Sequence, residues 1–159
     1  MRSEQEVNRA IELYADTVTR ICMLHLKNRS DTEDIFQEVF LKYTLSSVTF
    51  ENTEHEKAWI IRVTINKCKD LLKSFFHSKT VSINDMPFLQ SDLSDEYSEI
   101  LETVLALPKK YKDIVYLHYY EGYSAVEIGK MLNKNVNTVY TLLARARNML
   151  KEKLRDDGN

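Results

Sequence analysis

EGYSAVEIGKMLNKNVNTVYTLLARARNMLKEKLR, Glu121 to Arg155, decides the fold of this chain. Gly122 predicts the end of a preceding helix, because glycine enters the left-handed region that a C-terminal cap needs. Ser124 and Glu127 have capping-box spacing and start a short helix, with Ala125, Ile128 and Leu132 on one face. Gly129 offers a smooth spot for close crossing. Asn133 suits the turn, since asparagine adopts left-handed backbone cheaply. Asn135 can cap the next helix, whose Val139, Leu143, Ala146 and Leu150 form a buried stripe. Tyr140, Thr141, Ala144, Arg145 and Asn148 share the other side, flanked by Arg147, Lys151 and Arg155. A short helix, a tight turn and a longer helix with a basic outer face make a helix-turn-helix. An ordinary helical hairpin with solvated charges fits the same pattern, so the rest of the chain has to decide.

The 159 residues support one ordinary domain or two small ones. With three glycines, two prolines and helical apolar spacings nearly throughout, the expectation is all-α. No apolar run approaches 18 residues, and no signal peptide opens the chain. Cys22 and Cys68 lack partners at metal-ligand spacing, which predicts free buried thiols in a reducing cytosol and no metal centre. No nucleophile–base pair or phosphate loop is present, which predicts no catalysis, no cofactor and no small-molecule substrate.

The net charge of −2 hides a strong pattern. Residues 1–54 carry six bases and ten acids, and 55–80 carry six Lys or Arg against two acids. Residues 81–105 hold six acids and no base, whereas 106–155 hold ten bases and four acids. Two basic blocks separated by an acidic one matter more for partner choice than the total.

The first predicted helix runs from Glu4 to about Lys27. Ser30 and Glu33 have capping-box spacing for a second, through about Leu45, with an apolar face and an acidic one. Thr53 and Glu56 repeat that spacing ahead of a third, Glu54 to about Phe76. There Ala58, Ile61, Ile65, Cys68, Leu72 and Phe75 point inward, while Trp59, Arg62, Asn66, Lys69 and Lys73 share another face. That second face fits either nucleic-acid contact or a packed tryptophan beside solvated lysines. His77 to Leu93 loses periodicity and reads as an acidic linker. A helix containing Tyr97, Ile100 and Leu101 follows. Pro108 then opens another, to about Glu121, before the helix-turn-helix. The expected organisation is a helical domain over 1–76, a linker over 77–93 and a four-helix domain over 94–159.

DTEDIFQEVFLKY (Asp31 to Tyr43), KAWIIRVTINKCKDLLKS (Lys57 to Ser74) and the stretch from Leu107 to Leu154 carry a resemblance. In that order and spacing, with an acidic connector between, the chain resembles the bacterial RNA polymerase sigma factors of the extracytoplasmic-function (ECF) group. The resemblance implies a region 2-like helical bundle followed by a region 4-like helix-turn-helix domain. It implies that Asp34, Gln37 and Glu38, with Phe40 beside them, dock on the clamp coiled coil of core RNA polymerase. Trp59, Arg62 and Asn66 match positions near the downstream (minus-ten) promoter element. Lys67, Lys69 and Lys73 would contact phosphates there, and the loop over 50–56 matches one that captures a flipped base. Asn137, Thr138, Tyr140, Thr141, Ala144, Arg145 and Arg147 match the surface facing the upstream (minus-thirty-five) element, with Lys109, Lys110, Lys112 and Lys151 near phosphates. Tyr140 and Leu142 depart from the family pattern, which commonly has a basic residue and an arginine there. Asn133 and Asn137 stand where glycine is frequent. The departures imply weaker upstream binding or an altered base preference. The resemblance further implies a cytoplasmic protein held inactive by an anti-sigma factor, often membrane-bound. Two other readings stay open: a stand-alone regulator binding duplex operator DNA, and an interaction protein that keeps the fold without promoter activity.

Overall fold

A computed structural model describes residues 1–78 and 102–157, with side chains over 1–74 and 102–152. Most of the expected linker, the residues Tyr97, Ile100 and Leu101, and the side chains of Phe75 and Arg155 lie outside the described residues. Contacts divide the chain into two compact units, Met1–Asp92 and Leu93–Asn159.

Among the described residues three helices build the first unit: α1 (Glu4–Leu26), α2 (Arg29–Leu45) and α3 (Thr53–Ser78). Ser3 caps α1, and Lys27 closes it in the left-handed region at φ 57°. The box expected at Ser30 does not start α2. Asn28 does, its side-chain oxygen accepting from the Asp31 amide at 2.8 Å while its NH2 donates to the Asp31 carboxylate at 2.7 Å. Asparagine caps as well as serine does, and Asn28 is the first residue free after α1 ends. At α3 the box between Thr53 and Glu56 is absent as well. Asn52 accepts from the His55 amide at 2.8 Å, which leaves the Glu56 side chain free to turn inward.

α1 packs on both α2 and α3, and α2 packs on α3. Tyr14, Val18, Val39, Tyr43, Ile60 and Cys68 are among the buried centre of this core. Squeezed between two helices, α3 buries a broader stripe than one face supplies: Ile60, Val63 and Thr64 join Ile61, Ile65 and Cys68. Ala58, expected inside, is half-buried. Both cysteines are free and buried, with their sulfurs 3.9 Å apart.

The Glu56 carboxylate sits within this core at 4% exposure. One oxygen accepts from Arg9 at 3.0 Å and from the Tyr14 hydroxyl at 2.7 Å. The other accepts from Arg9 at 2.9 Å and from the Tyr43 hydroxyl at 2.8 Å. Burial pushes the Glu56 pKa up, but the bonds from Tyr14, Tyr43 and Arg9 outweigh it and hold the group below its ordinary value. Burial and the same carboxylate push both tyrosines up.

The second unit starts, among the described residues, with a helical turn over 102–105. Pro108 precedes α4 (Lys109–Val115). The helix expected to reach Glu121 widens instead into a π turn, Tyr116–Tyr120, where the Glu121 amide bonds five residues back to Tyr116 at 3.1 Å. Two contacts hold the wide turn: Tyr120 stacks on Tyr116 at 5.1 Å, and the Tyr116 hydroxyl donates to Glu121 at 2.8 Å. Gly122 follows at φ 82°.

Next come α5 (Ala125–Leu132) and α6 (Val136–Asp157). The Ser124–Glu127 box is formed in both directions, and those bonds hold the Glu127 carboxyl below its ordinary range. Asn133 adopts the left-handed region at φ 54°, and the Asn135 side chain accepts from the Asn137 amide at 2.8 Å. At Gly129 a Cβ would stand 2.9 Å from the Lys134 carbonyl oxygen, so the close approach is to the turn itself.

Two outcomes follow from these packings. Glu56→Gln should cost about 2–3 kcal/mol at neutral pH in urea unfolding, because it loses the charge that organises three donors. In the parent protein the unfolded chain takes up the Glu56 proton first, near pH 4.3 or so. The contribution of Glu56 is therefore complete above that pH and disappears as pH falls through the lower native value; the variant should lack this part of the acid limb. Gly129→Ala gains about 1 kcal/mol of helix propensity but meets an immovable carbonyl, and should lower the stability of the second unit by about 1–2 kcal/mol net in thermal unfolding.

Candidate binding surfaces

Asp34, Gln37 and Glu38 stand exposed along α2. Phe40 does not join them. It is 5% exposed and packs in the core at 4.8 Å from the Phe36 ring. Phe40 stands six residues past Asp34 and two past Glu38, rotated from them by about 120° and about 160° on a 3.6-residue helix, and it joins the buried stripe Ile35–Val39–Tyr43 instead. Two residues the sequence reading passed over take the outer place: Leu41 and Leu45, at 58% and 62% exposure. The usable signal was spacing, since they follow Asp34, Gln37 and Glu38 by three or four residues per step on the face opposite the core. Together they make an acidic face that turns apolar toward the end of α2. Both large apolar side chains stay in water on one stripe of α2.

The α3 residues separate into two groups. Arg62, Asn66 and Lys73 are exposed, and Lys69 on the same stripe is half-buried. Lys67 is rotated by one residue, about 100°, from Asn66. It lines an open groove of about 560 Å³ with Glu38, Leu41 and Leu45, and so belongs with the α2 surface rather than with Arg62. Trp59 is half-buried and packs against the core, its ring 5.6 Å from Phe50 and 6.2 Å from Tyr43. Phe50 also meets His55 edge-on at 5.4 Å. The loop between α2 and α3 is thus anchored by one aromatic residue inserted beside the tryptophan.

On α6, Asn137, Thr138, Tyr140, Thr141, Ala144, Arg145 and Arg147 are all exposed. The opposite side is closed by Val139, Leu142, Leu143 and Ala146, with Leu142 only 9% exposed. Thr141 donates its hydroxyl back to the Asn137 carbonyl at 2.9 Å, leaving its lone pairs outward. Arg147 lies at the edge of the face, where its Nε donates to the Tyr119 hydroxyl of the π turn at 3.2 Å. Among the described residues no cluster of His, Cys, Asp and Glu is arranged to hold a metal, and no helix is long and apolar enough to cross a membrane.

Family models match both units: sigma-70 region 2 over residues 10–74 and sigma-70 region 4 over residues 97–150. The chain belongs to the sigma-70 family. Full-length relatives place this sigma factor in the ECF group. It is 26% identical to the ECF RNA polymerase sigma factor SigW of Bacillus subtilis, over 92% of this chain and 87% of that protein. It is 29% identical to the RNA polymerase sigma factor SigV of the same organism, over 85% and 82% of the two chains. The same fold occurs in the sigma factor RpoE from Bartonella quintana, solved in complex with the anti-sigma factor NepR. That match has a TM-score of 0.74 at 17% identity, covering 95% of this chain and 98% of that one.

The two sides of α2 should separate in mutagenesis. Phe40→Ala empties a core site and should cost about 3–5 kcal/mol in urea unfolding. Leu41→Ala, outside the core, should change stability by no more than about 0.5 kcal/mol.

Proposed function

We propose that this ECF sigma factor binds core RNA polymerase through the outer face of α2 and holds promoter DNA at two places. Asp34, Gln37 and Glu38 supply the charged part of the polymerase contact, and Leu41 and Leu45 supply its apolar continuation. Arg62 and Asn66, with Lys69 and Lys73 near phosphates, face the downstream element. Trp59 acts there by bracing the base-capturing loop. Opening a duplex costs a few kcal/mol per unstacked base, and a preformed surface that accepts extruded bases offsets it selectively. Tyr140, Thr141, Ala144 and Arg145 face the upstream element, with Arg145 suited to a bidentate contact with guanine. Asn137, Thr138 and Arg147 border that contact.

The observation that carries this reading is the exposure of Asp34, Gln37, Glu38, Arg62, Asn66, Tyr140, Thr141, Ala144 and Arg145, on helices whose cores are closed by other side chains. In this reading the domains over 1–76 and 94–159 are joined by the acidic linker over 77–93, most of which lies outside the described residues. Holding both anchors on one polymerase makes the second DNA contact effectively intramolecular, so neither need be tight alone. The polymerase performs the chemistry, and this chain is not an enzyme. It works in the cytoplasm. An anti-sigma factor, the kind of partner with which the solved relative forms a complex, covers the polymerase- and DNA-binding faces of this chain, and sequesters it at the membrane where that partner is membrane-bound.

Run-off transcription with purified core polymerase on genomic fragments should give discrete start sites that depend on this chain. Tight sequence-specific binding to duplex DNA without core polymerase would instead favour a stand-alone regulator. Replacing Asp34 and Gln37 together by alanine should weaken core association on the order of tenfold or more while leaving thermal unfolding nearly unchanged. Arg145→Ala should cost about 1–3 kcal/mol of discrimination at one upstream base pair, read from binding to a set of single-substitution promoters.

A further inference from the structure

One side chain near the start of the protein ties three segments together. Arg2 Nε donates to the Tyr43 carbonyl at 2.9 Å, in the last turn of α2, and its Nη2 donates to the Val48 carbonyl in the following loop. The backbone amide of Arg2 donates to the Thr44 carbonyl at 2.9 Å. The guanidinium lies 4.4 Å from the centre of the Tyr43 ring and 5.1 Å from that of Phe50. Its other nitrogen pairs with Glu6 at 3.5 Å, in the first turn of α1, and the side chain is only 14% exposed.

These contacts have complementary jobs. The last carbonyls of a helix have no partner within it and attract a cation. A planar guanidinium can bond in its plane and stack on rings at the same time, which a lysine ammonium cannot do. Arg2 therefore fixes the loop by its backbone at Val48 and by its aromatic anchor at Phe50, and ties both to α2. Beside it opens a cleft of about 420 Å³, lined among others by Arg2, Ser46, Val48, Thr49, Phe50 and Glu56.

We infer that Arg2 is a positioning residue for the loop between α2 and α3, and that it sets how selectively this loop accepts an unpaired base. The inference rests on the reading of that loop as the base-capturing one. A loop that must discriminate between bases has to hold its backbone groups in place before the base arrives, because rearrangement during binding consumes the difference between right and wrong partners. Arg2 supplies that restraint without needing to touch DNA itself.

The test uses holoenzyme, assembled from core polymerase and the full chain, to select from duplex DNA carrying a randomised unpaired non-template segment. Base enrichment is compared for the parent, Arg2→Met, Arg2→Lys and the loop variant Thr49→Ala, alongside thermal unfolding of each. Arg2→Met should reduce the enrichment ratio at one position by about threefold or more, with the other positions nearly unchanged even where the unfolding midpoint falls by a few degrees. Arg2→Lys, which keeps the charge but cannot bridge the two carbonyls, should lose most of the same selectivity. An Arg2→Met profile equal to the parent's, while Thr49→Ala alters it, overturns the role of Arg2 and leaves the loop reading standing. Unaltered profiles in all three variants overturn the loop reading and the inference with it. Uniform weakening at every position together with a lowered midpoint makes Arg2 a structural residue only, and equally overturns the inference.

Discussion

Four hydrogen bonds converge on the Glu56 carboxylate, and α1, α2 and α3 each contribute to that junction. The junction fixes more than stability. Apolar surfaces alone let helices slide by a fraction of a turn at modest cost, since dispersion and burial are weakly directional. A buried carboxylate whose oxygens must each find two donors permits only the arrangement in which Arg9, Tyr14 and Tyr43 all reach it. Register and rotation of α1, α2 and α3 are consequently set together. The cost of burying the charge is met by its partners, and among the described residues no buried side-chain polar atom lacks one.

Once the interior is closed this way, the outward faces are free of structural duty. The stripe Asp34–Gln37–Glu38–Leu41–Leu45 and the stripe Arg62–Asn66–Lys73 can be chosen for what they meet rather than for what they hold. Phe40 and Trp59 show where that freedom stops. Phe40 belongs to the interior, and Trp59 divides its surface between the core and the loop that Phe50 pins.

Features governed by a few neighbouring residues were legible in the sequence. Gly122, the Ser124–Glu127 box, Asn133 and the Asn135 cap all appear where local backbone chemistry puts them. Failures arose where a residue had two possible partners. Ser30 and Thr53 each have capping-box spacing, but a neighbouring asparagine caps first, and Glu56 gains more from two tyrosines and an arginine than from a backbone amide. The π turn was illegible for a related reason: it depends on Tyr116 reaching both Tyr120 and Glu121, a choice that helical periodicity does not register. Leu41 and Leu45 stand outside because their spacing continues Asp34, Gln37 and Glu38 rather than the buried stripe, a placement that apolar character alone does not reveal.

Gly129 has a consequence for how such a protein can diverge. The angle between α5 and α6 is set by backbone against backbone, at a point where even a methyl group would collide with the Lys134 carbonyl. Side chains on the outer face of α6 take no part in that contact. Substitutions such as the tyrosine at 140 can therefore accumulate one at a time without tilting the helix that presents them. Geometry and sequence preference are inherited as separable traits, and a lineage can acquire new target sites while keeping the scaffold that delivers them.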